Sequence, residues 1–481
     1  MVTLVIFESQ NFHCERSMMT QEKATVRPDS EQLSRSLKPR HLSMIALGGA
    51  IGAGLLVASS TAIVTAGPAV IISYAIAGLV LTLVMRMLGE MASASPETGS
   101  FESYANRFIG SWAGFSVGWL YWWFWSVTVA IEATAAAAIV HQWSPTIPQW
   151  AAAGTLVVLM MGLNLVTVRT YGEAEFWFSS IKIGAILAVI IVGVLALIGI
   201  IPNTPATFQN LTAGGGFFAN GIGAVFTAVL AVIFSMFGAE IVTIAAGESE
   251  HPQAAVTKAV SAVVFRILFF FIGAVGITIT VAPWTSISSG HSPFVTMFEV
   301  VGIPYAGLIM NIVVFTALVS CLNAALYTSS RMLFSMAHNG NAPATFGKVS
   351  RFRSPGAAVI FSSLIGLASV LLNYFMPEAV FALLVNSTGA IGIFVWLIIA
   401  ISQLRSRKVL AAQGVNVLEQ PGVLKMWLFP YLNWALIAAL CALLVFMAVT
   451  ESHRVEVLIS TTVAAVVVTL GVWNARRQKK A

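Results

Sequence analysis

Glu132, Lys182 and Glu240 are ionisable residues set inside long apolar runs of the chain. On membrane-insertion scales each opposes burial at a bilayer centre by roughly 2.5–3.5 kcal/mol, and the three together by something like 7–10 kcal/mol, unless paired or hydrated. Such a cost points to ion or substrate handling, against the plainer reading of a structural polar knot. Lys182 is the candidate for proton coupling, because burial penalises its charged form and its proton can leave and return as the surroundings wet and dry. Its alternative is a permanent ion pair with a buried glutamate. Glu240 either holds an unwound segment or takes part in proton transfer. Glu132 meets a substrate ammonium or pairs with a neighbouring residue.

The backbone beside these charges carries its own signal. The run Gly48-Gly49-Ala50-Ile51-Gly52-Ala53-Gly54 has four glycines in seven residues of the first apolar segment, and each costs a helix ~1 kcal/mol relative to Ala. A helix break survives in hydrocarbon only where it is buried or lines a cavity, whereas a glycine-rich face also suits close helix packing. A second interruption, Ser235-Met236-Phe237-Gly238-Ala239-Glu240, favours the break. Gly238 lies 186 positions after Gly52, with five apolar segments from one break to the next. Paired interruptions in corresponding halves mark an inverted-repeat secondary transporter with its site at mid-membrane. Half-helix N-termini over Ile51 to Gly54 suit a carboxylate, and carbonyls freed near Gly48 and Ser235 suit an ammonium. Phe237 and Gly238 complete the expected site for a small zwitterion such as an amino acid.

The elements that must position these residues are membrane helices. The chain has 481 residues, 58% of them hydrophobic and 9% charged, a composition of an integral membrane protein. Runs of at least ~18 apolar residues predict twelve spans, beginning near Leu42, Val70, Trp112, Trp150, Phe176, Phe217, Ala259, Tyr305, Ala357, Ala379, Trp427 and Val455. Residues 1–41 read as a cytoplasmic, disordered tail, 42–402 as a ten-helix inverted-repeat transport core, and 403–426 as a cytoplasmic loop. Residues 427–473 read as two accessory helices and 474–481 as a basic cytoplasmic tail. With the N-terminus inside, Arg454 is the lone Lys or Arg outside, so the positive-inside rule sets both termini in the cytoplasm. The net charge of +6 then reflects loops beside an anionic leaflet, with no nucleic-acid partner implied.

Other patterns are weaker. Arg86 and Glu90 share a helix face near the cytoplasmic surface, as a gating pair or as a static one. Gly110, Gly114 and Gly118 form a small-residue packing face, and one or two of the aromatic residues from Trp119 to Trp125 are expected along the pathway. Gly114-Phe115-Ser116-Val117-Gly118 matches the hydrolase nucleophile pattern by accident, because that motif needs a strand-to-helix turn. Asn210-Leu211-Thr212 fits a glycosylation site on an outer loop. Cys14, Cys321 and Cys441 fall in the tail and two different spans, which argues against a disulfide. No P-loop, zinc motif or metal-spaced Cys/His cluster is visible, so neither an enzyme nor a nucleotide-driven pump is indicated, and no metal site or cofactor is expected.

The residues also resemble a known family. Gly-Gly-Ala-Ile-Gly-Ala-Gly (48 to 54), Gly-Glu-Met-Ala (89 to 92), Pro-Glu-Thr-Gly-Ser-Phe (96 to 101), Phe-Gly-Ala-Glu (237 to 240) and Ser-Cys-Leu-Asn-Ala-Ala-Leu-Tyr-Thr-Ser-Ser-Arg (320 to 331) look like amino acid permeases of the amino acid–polyamine–organocation superfamily. Gly-Trp-Leu-Tyr-Trp-Trp-Phe-Trp (118 to 125) with Glu132, Tyr-Gly-Glu-Ala-Glu-Phe-Trp (171 to 177) with Lys182, and Glu-Ile-Val-Thr-Ile-Ala-Ala-Gly-Glu (240 to 248) resemble the bacterial 4-aminobutyrate (GABA) permeases within it. The resemblance implies an all-α, twelve-helix, LeuT-like fold with a 5+5 inverted repeat, discontinuous helices 1 and 6, and two accessory helices. It implies import of an amino acid across the plasma (inner) membrane, driven by protons, with Lys182 standing in for sodium. Ala53 replaces a Thr common in the family and suits GABA permeases, whereas Leu56 replaces a common Phe. The rival readings are a same-family permease for proline, an aromatic or another ω-amino acid, and a non-transporting amino acid receptor.

Overall fold

The structure is a computed structural model that describes residues 51–95, 100–166, 168–202, 204–240, 243, 252–350, 352, 354–376 and 380–478. Gly48, Gly49, Ala50, the tail 1–41 and the predicted helix start at Leu42 lie outside the described residues. So do 96–99 and, apart from Thr243, 241–251.

The described chain is helical throughout. Its first half runs through α1 (Ala53–Leu56), α2 (Ala58–Ala66), α3 (Val70–Ala94), α4 (Ser100–Phe108), α5 (Ser111–Trp143), α6 (Gln149–Val166), α7 (Val168–Leu197) and α8 (Gly221–Met236). The second half runs through α9 (Pro252–Val281), α10 (Pro293–Val301), α11 (Ala306–His338), α12 (Gly356–Phe375), α13 (Val380–Ala412), α14 (Tyr431–Val449) and α15 (Arg454–Gln478). Among the described residues, nine helical stretches are long and apolar enough to cross a membrane, and 221–236 and 267–281 are shorter apolar helices. The protein is therefore a multi-pass membrane protein. Each predicted span overlaps a described helix over part of its length, but α2 and α3 join through the Gly67–Ala69 turn into one stretch from Ala58 to Ala94.

Three elements depart from the sequence reading. Helix α7 begins eight residues before the predicted start at Phe176, because a helix satisfies its own backbone whether or not its residues are apolar. The connection after Pro96 contains α4, with Glu102 in its first turn and Arg107 in its last, charges placed to complement the helix dipole. The connection after α9 contains α10, started by Pro293 and ended by left-handed Gly302, the Pro-first, Gly-last pattern of a short helix.

Helix α5 lies at the centre, packed by α4, α6, α11, α12, α13 and α15. Between helices in a bilayer small residues decide how closely backbones approach. A Cβ at Gly114 would sit 2.7 Å from Asn106 Cβ, and one at Gly118 2.5 Å from Met336 Sδ. The accessory helix α15 docks on α5 in the same way, since a Cβ at Gly471 would lie 2.8 Å from the Trp112 carbonyl. Ser116 sits on a helix and bonds the Trp112 carbonyl at 2.7 Å, as expected of a chance hydrolase match. Asn210 corrects the glycosylation reading. Its side-chain amide is buried and donates to the Pro205 and Thr280 carbonyls at 3.0 and 2.9 Å, and a glycan on that nitrogen would replace one of the two hydrogens and have to fit a buried site.

Candidate functional site

Gly52 has an extended backbone (φ −135°, ψ −152°), and the chain turns helical only at Ala53. The short helix α1 ends at Val57, whose φ of −129° and ψ of −53° interrupt the path into α2. Helix α8 stops at Met236; Phe237 is extended and Gly238 takes a φ of +109°, a conformation that favours glycine. The described backbone is thus non-helical at Gly52 and from Phe237, within the two runs where interruptions were expected, and the two places face each other: a Cβ on Gly54 would lie 2.5 Å from Ser235 Cα. At Gly52 a Cβ would come within 2.4 Å of both Cys321 Sγ and a Glu132 carboxylate oxygen. Glycine is required here for close approach.

Each break is held by a buried carboxylate. The Ala53 N–H donates to both oxygens of Glu132, at 2.9 and 3.1 Å, and the Cys321 thiol also bonds Glu132. The Gly238 N–H donates to both oxygens of Glu240 at 3.1 Å, and the Thr243 hydroxyl caps the Glu240 carbonyl at 2.7 Å. Glu240 therefore holds the unwound segment, one of its two expected roles. Glu132 modifies the expectation for Ile51 to Gly54, because the amide of Ala53 already has an internal acceptor. Phe237 N–H bonds the Ile233 and Phe234 carbonyls at 3.0 and 3.3 Å, so helix geometry leaves the Ser235 and Met236 carbonyls without an intrahelical partner. The Ser235 hydroxyl turns back on the Val232 carbonyl at 2.7 Å.

Gly52, Gly54, Glu132, Ser235, Phe237 and Cys321 enclose a pocket of about 20 Å³, room for little more than a water molecule. Phe124 and Trp125, two rings of the 119–125 cluster, close its side. Phe124 packs on Phe237 at a centroid distance of 3.9 Å, and Phe237 stacks on Trp396 at 5.6 Å. The backbone hinge at 237 is thus anchored by aromatic rings.

Lys182 lies 3.7 Å from Glu175, both side chains fully buried. Glu175 also accepts from Ser320 at 2.8 Å and Ser179 at 3.3 Å. The ion-pair alternative for Lys182 is the geometry found. Glu175 escaped the sequence reading because the span was begun at Phe176. The available signal was its spacing of seven residues, two helical turns, which sets it on the same face as Lys182. Ser320 and Cys321 are consecutive on α11, so one helix contacts the carboxylates of both Glu175 and Glu132.

Arg86 and Glu90 are not paired with each other. Glu90 takes two bonds from the Arg407 guanidinium at 2.8 and 2.7 Å, one from Gln403 at 2.7 Å and one from the Met426 N–H at 2.5 Å. The Arg86 Nε donates to the Lys425 carbonyl at 2.8 Å, and its guanidinium lies over Trp427 at 3.9 Å. Helical spacing brought the two residues to one end of α3, but α13 and the 413–430 loop supply better-aligned partners.

The amino acid permease family model matches residues 41–480. The chain belongs to the amino acid permease family. The permease is 45% identical to the gamma-aminobutyric acid permease of Bacillus subtilis, over 90% of this chain and 92% of that one. It is 43% identical to the gamma-aminobutyric acid permease of Escherichia coli, over 93% and 96% of the two chains, and 38% identical to the Escherichia coli aromatic amino acid transport protein, over 89% and 92%. These relatives are transporters, and no catalytic family is indicated. Among solved structures the permease resembles a mutant manganese transporter of Eremococcus coleocola, with a TM-score of 0.55 at 13% identity over 91% of this chain and 94% of that one. That likeness concerns the fold alone. Among the described residues no group of three His, Cys, Asp or Glu is placed to hold a metal.

Proposed function

We propose that this permease imports 4-aminobutyrate together with protons, by alternating access around the two broken helices. In this reading twelve spans form a LeuT-like core of two inverted five-helix repeats plus two accessory helices, in the plasma (inner) membrane. The basic end and both termini face the cytoplasm. The observation that carries the proposal is Glu132, a fully buried carboxylate held 2.9 Å from the first amide of the α1 break. An ω-amino acid separates its charges by several bonds. Glu132 receives its ammonium, while its carboxylate meets the amides of Ile51 to Gly54 that Glu132 does not occupy. The end of α8, with Ser235, Phe237 and Gly238, closes the other side; Gly48, the other expected source of a carbonyl, lies outside the described residues. The names of the 43–45% identical relatives support this substrate class.

A pocket of about 20 Å³ is smaller than any amino acid, so substrate enters only when the two breaks move apart. Proton coupling is assigned to Lys182. Removing its proton leaves Glu175 as a buried charge without a counter-ion, a state costly enough in low dielectric to drive a rearrangement. Glu240 is the second candidate for proton handling.

Reconstituted protein is expected to concentrate labelled 4-aminobutyrate when the outside is acidified, with no requirement for sodium. Lys182→Ala is expected to abolish accumulation while leaving exchange. Accumulation by Lys182→Ala against a gradient breaks the coupling assignment. A panel of unlabelled amino acids tests the substrate; strong competition by aromatic amino acids would favour the reading suggested by the 38% identical aromatic transporter. Binding without flux would instead indicate a receptor.

A further inference from the structure

The connection between α9 and α11 carries Ser286-Ile287-Ser288-Ser289-Gly290-His291-Ser292 immediately before Pro293. This polar loop folds back on α2. The Gly290 N–H donates to the Ser60 hydroxyl at 3.1 Å, and the Thr61 and Ser289 hydroxyls meet at 2.8 Å. With α5, α10 and α11 it encloses a cavity of about 490 Å³, far larger than the central pocket. The two lie in line. Ala135 and Val314 in the cavity lining stand three and seven residues from Glu132 and Cys321 in the central pocket, spacings that keep one helix face on α5 and α11, and Val57 in the same lining ends α1 three residues after Gly54.

The wall formed by α10 has opposite chemistry at its two ends. Ser292 lines the cavity and is 7% exposed, and its buried hydroxyl has no hydrogen-bond partner. It makes no cap bond to the helix it precedes. The amides of Phe294 and Val295 in the first turn have no intrahelical acceptor, and the helix start favours negative charge. Two turns on, about 10 Å along the axis, Glu299 lines the same cavity. No Lys or Arg is among the lining residues, and the Glu299 side chain lies against Gly307, where a Cβ would come within 2.8 Å of its Cγ. An anion is favoured at one end and a cation at the other.

We infer that this vestibule is a docking site for the transported zwitterion, Ser292 and the first amides of α10 receiving its carboxylate and Glu299 its ammonium, before transfer to Glu132. The inference rests on the amino acid reading above, and the length of the wall selects substrates whose charges are far apart.

Initial uptake rates of labelled 4-aminobutyrate in proteoliposomes test it. Glu299→Gln is expected to raise KM about tenfold with kcat within twofold, and Ser292→Ala about threefold. Gly307→Ala displaces Glu299 without removing its charge and is expected to fall between them. In a second measurement, 4-aminobutyrate slows labelling of Ser292→Cys by a membrane-impermeant thiol reagent, counted above the parent chain's own cysteines. That protection persists when Glu132→Ala is added. An unchanged KM in Glu299→Gln, or protection that vanishes with Glu132→Ala, overturns the inference. A wild-type chain that carries no 4-aminobutyrate refutes the transport reading instead, and protection of Ser292→Cys still decides the vestibule.

Discussion

At the basic end of the permease, Glu90 is 1% exposed and gathers Arg407, Gln403 and the Met426 amide. The 413–430 loop is tied to α3 and α9 by further bonds: Ser93 accepts from the Leu424 amide at 3.0 Å, and Gln253 and Thr257 donate to the Pro421 and Gly422 carbonyls at 3.1 and 3.0 Å. At the vestibule end the covering loop is held to α2 by an amide–hydroxyl bond and a hydroxyl–hydroxyl bond, beside a cavity of about 490 Å³. The difference teaches where the molecule resists opening. A buried, bidentate ion pair leaves an uncompensated charge when it is parted, whereas a neutral bond is worth less and can be exchanged for a bond to water. The structure is therefore closed firmly on its basic side and loosely on the other.

The sharpest way to break this comparison is Glu90→Ala. With Arg407 stranded, stability is expected to fall by about 3–5 kcal/mol, read as a drop in the thermal midpoint of detergent-solubilised protein. A change no larger than that of a surface mutant would show that the basic end is not the firm one. Next in size is Arg86→Ala, which removes the Lys425 bond and the contact over Trp427. The expected loss is about 1–2 kcal/mol, accompanied by faster modification of a cysteine placed in the 413–430 loop. At the vestibule end, Thr61→Val is expected to change stability by less than about 0.5 kcal/mol in the same melts.

The subtlest test uses pH. Glu102 on α4 is buried, and burial raises its pKa above the usual carboxylate range, partly offset by bonds from Asn341 and Asn339. A raised folded pKa adds stability that is present at low pH and is lost as pH rises through that value. The advantage of wild type over Glu102→Gln in thermal midpoint is thus expected to be largest in acid and to shrink as pH rises above the ordinary glutamate range.

Much of the fold was legible because hydrocarbon imposes a simple rule: backbone polar groups must bond internally, so length and apolarity alone reveal helices. The two breaks were legible for the same reason, since Gly52 and Gly238 are expensive in a continuous helix. Glu132, Lys182 and Glu240 stood out because charge in an apolar run is conspicuous. Glu175 did not, because it sits at the edge of its run, where a charge looks ordinary. Helix α10 was missed because nine residues between two turns are too few to register as a span.

Sequence alone determined that this chain crosses a membrane many times, that the backbone is not helical at Gly52 and Gly238, and that three charges are buried near them. Tertiary structure decided who meets whom: Glu132 with the Ala53 amide, Lys182 with Glu175, Glu90 with Arg407 rather than Arg86. Apolar periodicity reports which residues leave water, a property of each segment by itself. Pairing depends on which helix faces approach within about 3 Å, the reach of a hydrogen bond, and that distance is set by packing between segments far apart in the chain.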